Sequence, residues 1–315
     1  MMKKALLFLF FQSFIWVSGF AENPRWKIVG TTPIPAHADL DVRWEAPTTV
    51  IPSSIWVYNL SPNRFSSANI SNVVKLCSLS WKNETVKDTS GTAFQSADGS
   101  RKLTISFLSS SIRYSTPERR YGPTNLTKDV PDMSKLAEIA TNFVNQIGIP
   151  LSAVTGYFQT DKFNFSEVGT MFDSHNTVVT NIELRTVTFR RSVDGIPFVG
   201  GDGCGIDFGE HGIISRLSMT WHDLKRIRLY DTLSPKVVIN LLRQGKVYQG
   251  LVSDNVSEIN WPTVRSVAIV KALPCYFAGG TDQLYPFLVL FAVVDTGYGN
   301  VDTEIECPII DETKP

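Results

Sequence analysis

Residues 189–221, FRRSVDGIPFVGGDGCGIDFGEHGIISRLSMTW, restrict the possible folds more than any other part of the chain. Asp194-Gly195 is a tight-turn pair, because Asp tolerates left-handed dihedrals and Gly adopts them freely. Ile206 and Phe208 then alternate with polar residues. Gly209 to Gly212 turns the chain again, and Leu217, Met219 and Trp221 share one face. The stretch therefore reads as three strands joined by two glycine-marked turns, a local antiparallel sheet. Parallel β-α-β winding is disfavoured, since that needs long crossovers where this chain has short turns.

At 315 residues there is room for two or three domains. Formal charge balances to zero, so nothing points to nucleic acid or an acidic membrane surface as partner. Lys3 and Lys4 precede an apolar run from Ala5 to Phe11 that resumes from Phe14 to Val17, and Ser18-Gly19-Phe20-Ala21 follows. That is the layout of a secretory signal peptide cut after Ala21, and it predicts a secreted or periplasmic protein. An uncleaved anchor is the alternative, although Gln12 and Ser13 interrupt the run. The apolar run Phe287 to Val294 is too short to span a bilayer and predicts a buried strand, so no stable membrane insertion is expected once the leader is removed.

Down the chain, residues 22–54 read as an extended lead-in. Ile55 to Leu60 is a strand, and Ile70, Val73, Val74 and Cys77 form the stripe of a short helix. Strands are expected at Thr92–Ser96 and Lys102–Phe107 around an Asp98-Gly99 turn, with a third at Ser111–Ser115. After a polar linker over 117–131, a helix is capped by Asp132 or Ser134. It carries Leu136, Ile139, Ala140, Phe143 and Ile147 on one face, and Gly148 and Pro150 end it. Strands follow at Ala153–Thr160 and Thr177–Phe189, the second with a slip in apolar spacing that predicts a β-bulge near Arg185. Ser234-Pro235 opens a third helix with Val237, Val238, Leu241 and Leu242 inward, closed by Gly245. Strands at Arg265–Phe277, Tyr285–Val294 and Val301–Ile310 complete the chain. A helix followed by strands thus recurs three times. The expectation is an α+β protein of tandem modules over 55–116, 132–231 and 232–315, each a helix packed on an antiparallel sheet.

LAEIATNFVNQIGI at 136–149 followed by FRRSVDGIPFVGG at 189–201 resembles the PepSY and thermolysin-propeptide (FTP-like) class of extracellular α+β modules. Val193, Asp194, Gly195, Ile196 and Pro197 match the hairpin signature of that class, and Glu210-His211-Gly212 stands where its later turn falls. The resemblance implies a non-catalytic role: peptidase inhibition, intramolecular chaperoning or partner binding. No peptidase domain and no H-E-x-x-H accompany it here.

Chemical motifs are few. Gly200-Gly201-Asp202-Gly203-Cys204-Gly205 is glycine-rich like a phosphate loop. A strand and not a helix is expected after it, which removes the helix terminus that such loops need. Hence no cofactor is expected. His37, His175, His211 and His222 are scattered without a metal-ligand pair, and no G-x-S-x-G elbow occurs. Cys77, Cys204, Cys275 and Cys307 allow three disulfide pairings, of which Cys275 with Cys307 is favoured because both sit in the C-terminal strands. Arg185, Arg190 and Arg191 form the densest basic cluster, either a binding patch or a solvated face. Asn69, Asn83, Asn125, Asn164 and Asn255 head N-x-[ST] sequons, glycosylation candidates only in a eukaryotic secretory pathway. The expected function is non-enzymatic binding of another protein through a sheet face or edge. An exported hydrolase using acidic residues on long loops is the alternative, and a small-ligand carrier the third.

Overall fold

The computed structural model describes residues 32–63, 65–77, 83–88, 90–96, 99–116, 130–156, 161–174, 177–250, 259–277 and 282–311. The leader, the linker from 117 to 129, Asp98, His175, Asn125 and Asn255 lie outside the described residues. Strands β1 (Thr32–Pro33), β2 (Asp41–Trp44) and β3 (Ser54–Ser61) precede helix α1 (Ser67–Leu76). A meander follows, β4 (Asn83–Asp88), β5 (Gly91–Gln95), β6 (Lys102–Ser106) and β7 (Ser111–Ser115), and then helix α2 (Met133–Gln146). Next come β8 (Val154–Thr155), β9 (Asn164–Ser174), β10 (Thr177–Val193), β11 (Ile196–Pro197), β12 (Gly203–Phe208), β13 (Ile214–Thr220) and β14 (Asp223–Asp231). Helix α3 (Pro235–Arg243) leads to β15 (Tyr248–Gln249), β16 (Ser266–Phe277), β17 (Gln283–Asp295) and β18 (Asn300–Pro308).

The helices end where local chemistry ends them. Ser66 caps α1 with a reciprocal Ser66–Asn69 capping box. Asp132, not Ser134, caps α2 by accepting from the Lys135 amide at 2.8 Å. Gly148, at φ 78°, closes α2: its N–H donates to the Asn145 carbonyl and the Ile149 N–H to that of Val144. Gly245 closes α3 with the same pair of bonds, to Leu242 and from Lys246 to Leu241.

Tandem helix-on-sheet modules do not form. The strands gather instead into two large, almost wholly antiparallel sheets, one of eight strands and one of ten, with three α-helices among the described residues. In the ten-stranded sheet the order is β11-β10-β12-β13-β7-β6-β5-β4, with β8 and β9 also on β10. The decisive pairing is β7 against β13, Ser111–Ser115 opposite Thr220–Arg216, which fuses strands of two expected modules into one sheet. Strand β3 leaves its neighbours altogether and pairs with β14 and with the start of β17. Hydrophobic periodicity decides which face of a strand is buried; it leaves open which edge finds which, and here the distant edges win.

Two cores result. Helices α1 and α2 cover one face of the ten-stranded sheet, with Val73, Leu136, Ala140, Phe143 and Val144 against Leu103, Ile105, Ile112, Val187, Phe189, Ile206, Leu217 and Met219. The Asn69 and Asn72 amides tie the two helices by donating to the carbonyls of Ile147 and Gln146. The second core holds Val238 and Leu242 of α3 with residues of β3, β16, β17 and β18. Two side chains from the β11 edge of the other sheet also join it: Ile196 and Phe198.

Candidate functional site

The hairpin signature is the joint between the two sheets. Asp194 and Gly195, at φ 51° and 79°, make the two-residue turn between β10 and β11. Asp194 is more than a turn residue. Its carboxylate accepts from the Tyr58 hydroxyl at 2.6 Å and from Arg226 Nη2 at 3.2 Å, and those two partners belong to β3 and β14 of the opposite sheet. Just past the hairpin, Phe198 bridges Tyr276 and the Val199 N–H donates to the Tyr276 carbonyl at 2.8 Å. The Tyr276 hydroxyl donates in turn to the Trp56 carbonyl at 2.7 Å. Val193 packs against the rim of the second core, while Ile196 and Pro197 are buried.

The three arginines do not make one patch. The register slip in β10 falls between Ile182 and Leu184, two residues ahead of its expected place, so Arg185, Val187, Phe189 and Arg191 share the inner face while Arg190 lies on the outer. Arg185 is spent on Glu167 at 2.6 Å and on the carbonyls of Val130 and Pro131. Arg191 donates to Asp202 at 2.7 Å and to the His222 carbonyl, with its guanidinium 4.9 Å from the Trp221 ring and 5.7 Å from that of Phe198. A guanidinium between two aromatic rings is held by both cation–π attraction and charge-assisted hydrogen bonds.

Asp202, from the glycine-rich segment, is the centre of this cluster and is 1% exposed. Gly200 and Gly201 both take positive φ, which turns the chain so that Asp202 points inward, and strand β12 follows as expected. Its Oδ2 accepts from Arg191 and from the His222 amide, while Oδ1 lies 2.6 Å from His222 Nδ1. A buried carboxylate needs this many donors to offset its lost hydration. The geometry also fixes Nδ1 as the protonated ring nitrogen, as in a general-base pair. A base needs a nucleophile in reach; the groups packed here are Arg191, Trp221 and Phe198, and among the described residues no hydroxyl or thiol bonds to this ring. The cluster ties β10 and the segment ahead of β12 to the residue that follows β13. Nothing local in the glycine-rich segment signals that the Asp202 side chain is buried.

All four cysteines are buried free thiols. The favoured pairing of Cys275 with Cys307 is corrected by register. Cys275 stands opposite Phe287 and Cys307 opposite Leu288, so the two lie on strands flanking β17 and on opposite faces of the sheet. Two strand spacings are about 9–10 Å, beyond the reach of a disulfide. Burial pushes the Cys77 thiol up to about 12 and raises those of Cys204, Cys275 and Cys307 as well, with the Glu306 and Glu304 carboxylates adding to Cys275. Such thiols are inert. Among the described residues no group of three or more His, Cys, Asp and Glu is placed to hold a metal ion.

The outer face of the ten-stranded sheet is different in character. Cross-strand rows run Arg190–Gly203–Thr220–Ser111–Ser106–Gly91 and Thr188–Gly205–Ser218–Arg113–Thr104–Ala93. A third includes Asp207–Arg216–Ser115–Lys102. Where the opposite face is mostly apolar, this one is paved with small hydroxyl residues and glycines. Gly203 and Gly91 are required by space, since an added Cβ would meet the Phe189 carbonyl oxygen at 2.8 Å and overlap that of Ile105 outright. Three hollows of about 240, 340 and 450 Å³ lie on the face, and they adjoin: the first and third share Ser218, the second and third Thr104.

No family model matches the chain, and no curated protein does. Among solved structures it is similar to an uncharacterized protein from Eubacterium rectale, with TM-score 0.49 and 10% identity over 85% of this chain and 86% of that one. It is also similar to the Bacillus megaterium YpeB C-terminal domain, with TM-score 0.37 and 9% identity over 77% of this chain and 99% of that one. Among the described residues no helix is long and apolar enough to cross a membrane.

Proposed function

We propose that this is an exported, non-enzymatic binding protein that holds a polypeptide partner on the outer face of its ten-stranded sheet. The observation that carries the reading is the contrast between the two faces: α1 and α2 cover one, while the other presents adjoining hollows floored by Thr, Ser and Gly. A floor of short side chains lets a partner's backbone come close, and its hydroxyls both donate and accept hydrogen bonds. The leader-like residues 1–21 support export.

Site-specific photocrosslinking tests it. A crosslinker at Ser218 or Thr104 should capture one reproducible partner from the native exported fraction, and the same group at Leu229, exposed on β14, should not. Equal capture from both positions, or robust turnover of a peptide, ester or glycoside by the purified chain, would sink the reading.

A further inference from the structure

The largest hollow, of about 450 Å³, is bordered by Lys102 from β6, Arg113 from β7 and Arg216 from β13. Ser115 stands directly between Lys102 and Arg216 in one cross-strand row, and Arg113 projects from the same face one row away. Residues diagonal across neighbouring strands lie roughly 7–8 Å apart, so the three cations ring one depression. Lys102, Arg113 and Arg216 are all exposed; among the described residues none of them forms an ion pair or side-chain hydrogen bond. Asp207 stands opposite Arg216 in the same row, and its Oδ1 accepts from the Thr186 hydroxyl at 2.8 Å. Three like charges held together cost stability, and a bound anion would relieve that cost.

Resting on the binding function above, we infer that the partner segment is an acidic stretch of extended polypeptide, its carboxylates seated on Lys102, Arg113 and Arg216. The shape favours a chain over a small anion. The backbone N–H groups beneath the hollow are committed to the sheet ladder and lie in its plane, so they cannot cradle a phosphate as loop or helix-terminal amides do. The three hollows together cross from β10 to β5, five strand spacings or about 24 Å, which matches about seven extended residues. The rows that cross the hollows carry no outward-facing aromatic side chain, so a nucleobase has nothing to stack on. Arg113 and Arg216 supply bidentate donors suited to carboxylates.

The test is fluorescence anisotropy with three labelled heptapeptides, one Glu-rich, one of Ser and Gln, and one Lys-rich. The Glu-rich peptide should bind at least about ten-fold more tightly than the other two, weaken on raising salt, and lose about ten-fold in the R113Q/R216Q double variant. Both substituted side chains stand on the solvent face, so the thermal midpoint should hold and report the fold as intact. Equal affinity for the Glu-rich peptide in the K102Q/R113Q/R216Q variant overturns the inference, as does displacement of that peptide by equimolar inorganic phosphate. Tight binding of the uncharged peptide, blocked by S218R, overturns the acidic preference while leaving the binding function standing. Absence of binding by every peptide, with no crosslinked partner, defeats both.

Discussion

At the scale of single residues, Tyr58 and Asp194 show how much of this fold rests on polar contacts between sheets. The Tyr58 phenol pKa lies above its ordinary value of 10.0, first because the side chain is buried and then because its hydroxyl donates to the Asp194 carboxylate. The folded state therefore holds this proton more tightly than the unfolded chain does. Its contribution is intact below about pH 10 and is lost as pH rises through the raised value. Comparing denaturant midpoints of wild type and Y58F from pH 7 to 11 should show a shallower alkaline decline in Y58F; parallel curves would mean that the bond to Asp194 is not maintained in solution. The cysteines make a second residue-scale prediction. With all four thiols buried and raised, none should react with a thiol reagent in the native protein at pH 8, and all four should react once guanidinium unfolds it. Rapid labelling of two thiols in the native state would place a pair of them at an accessible surface.

At the scale of elements, the glycines of β12 separate steric need from flexibility. An added Cβ on Gly203 meets the Phe189 carbonyl oxygen at 2.8 Å, whereas on Gly205 it meets only the Thr188 methyl at an ordinary 3.7 Å. Thermal unfolding should place G203A about 1–3 kcal/mol below wild type. G205A should match or slightly exceed wild type, because it restricts the unfolded chain without a clash. The contrast also shows where sequence reading succeeds. The stripes of α1, α2 and α3, the strands over Lys102–Ser106, Ser111–Ser115 and the last three long strands all follow from period and turn chemistry. Strands β4, β9 and β14 were not legible. In β14, Asp-Leu-Lys-Arg-Ile-Arg-Leu-Tyr-Asp exposes nearly all of its residues, so it carries no buried alternation; it is a strand because β3 supplies the hydrogen bonds. Of the candidate binding face, the cations are scattered over 102, 113 and 216. Only the β6–β7–β13 register brings them together, and periodicity within one strand holds no information about register with a distant one.

For the whole molecule, the question is how two cores behave as one. The contacts that cross between them centre on one hairpin: Phe198 buried against Tyr276, and Asp194 bonded to Tyr58 and Arg226. Scanning calorimetry of the wild type should show a single cooperative transition. D194A/F198A removes an aromatic worth about 3–5 kcal/mol together with the bridging carboxylate. It should split the transition in two, the sheets melting separately. One transition at a lower temperature would instead mean that the coupling is spread along the rest of the interface.

The route of the chain between its sheets has a consequence during synthesis. Strand β3 is made early, yet its partner β14 follows far behind: the contact of Ser61 with Asp223 spans 162 residues. At common elongation rates that gap is roughly 10–30 s. Throughout it, Ser-Ile-Trp-Val-Tyr-Asn-Leu-Ser emerges with no charge, no proline and an open edge, the composition that recruits other copies into cross-β stacks. Residues 65–221 carry their own core and are complete before β3 finds a mate. One eight-residue segment thus stays without its partner strand while the whole of residues 65–221 is made.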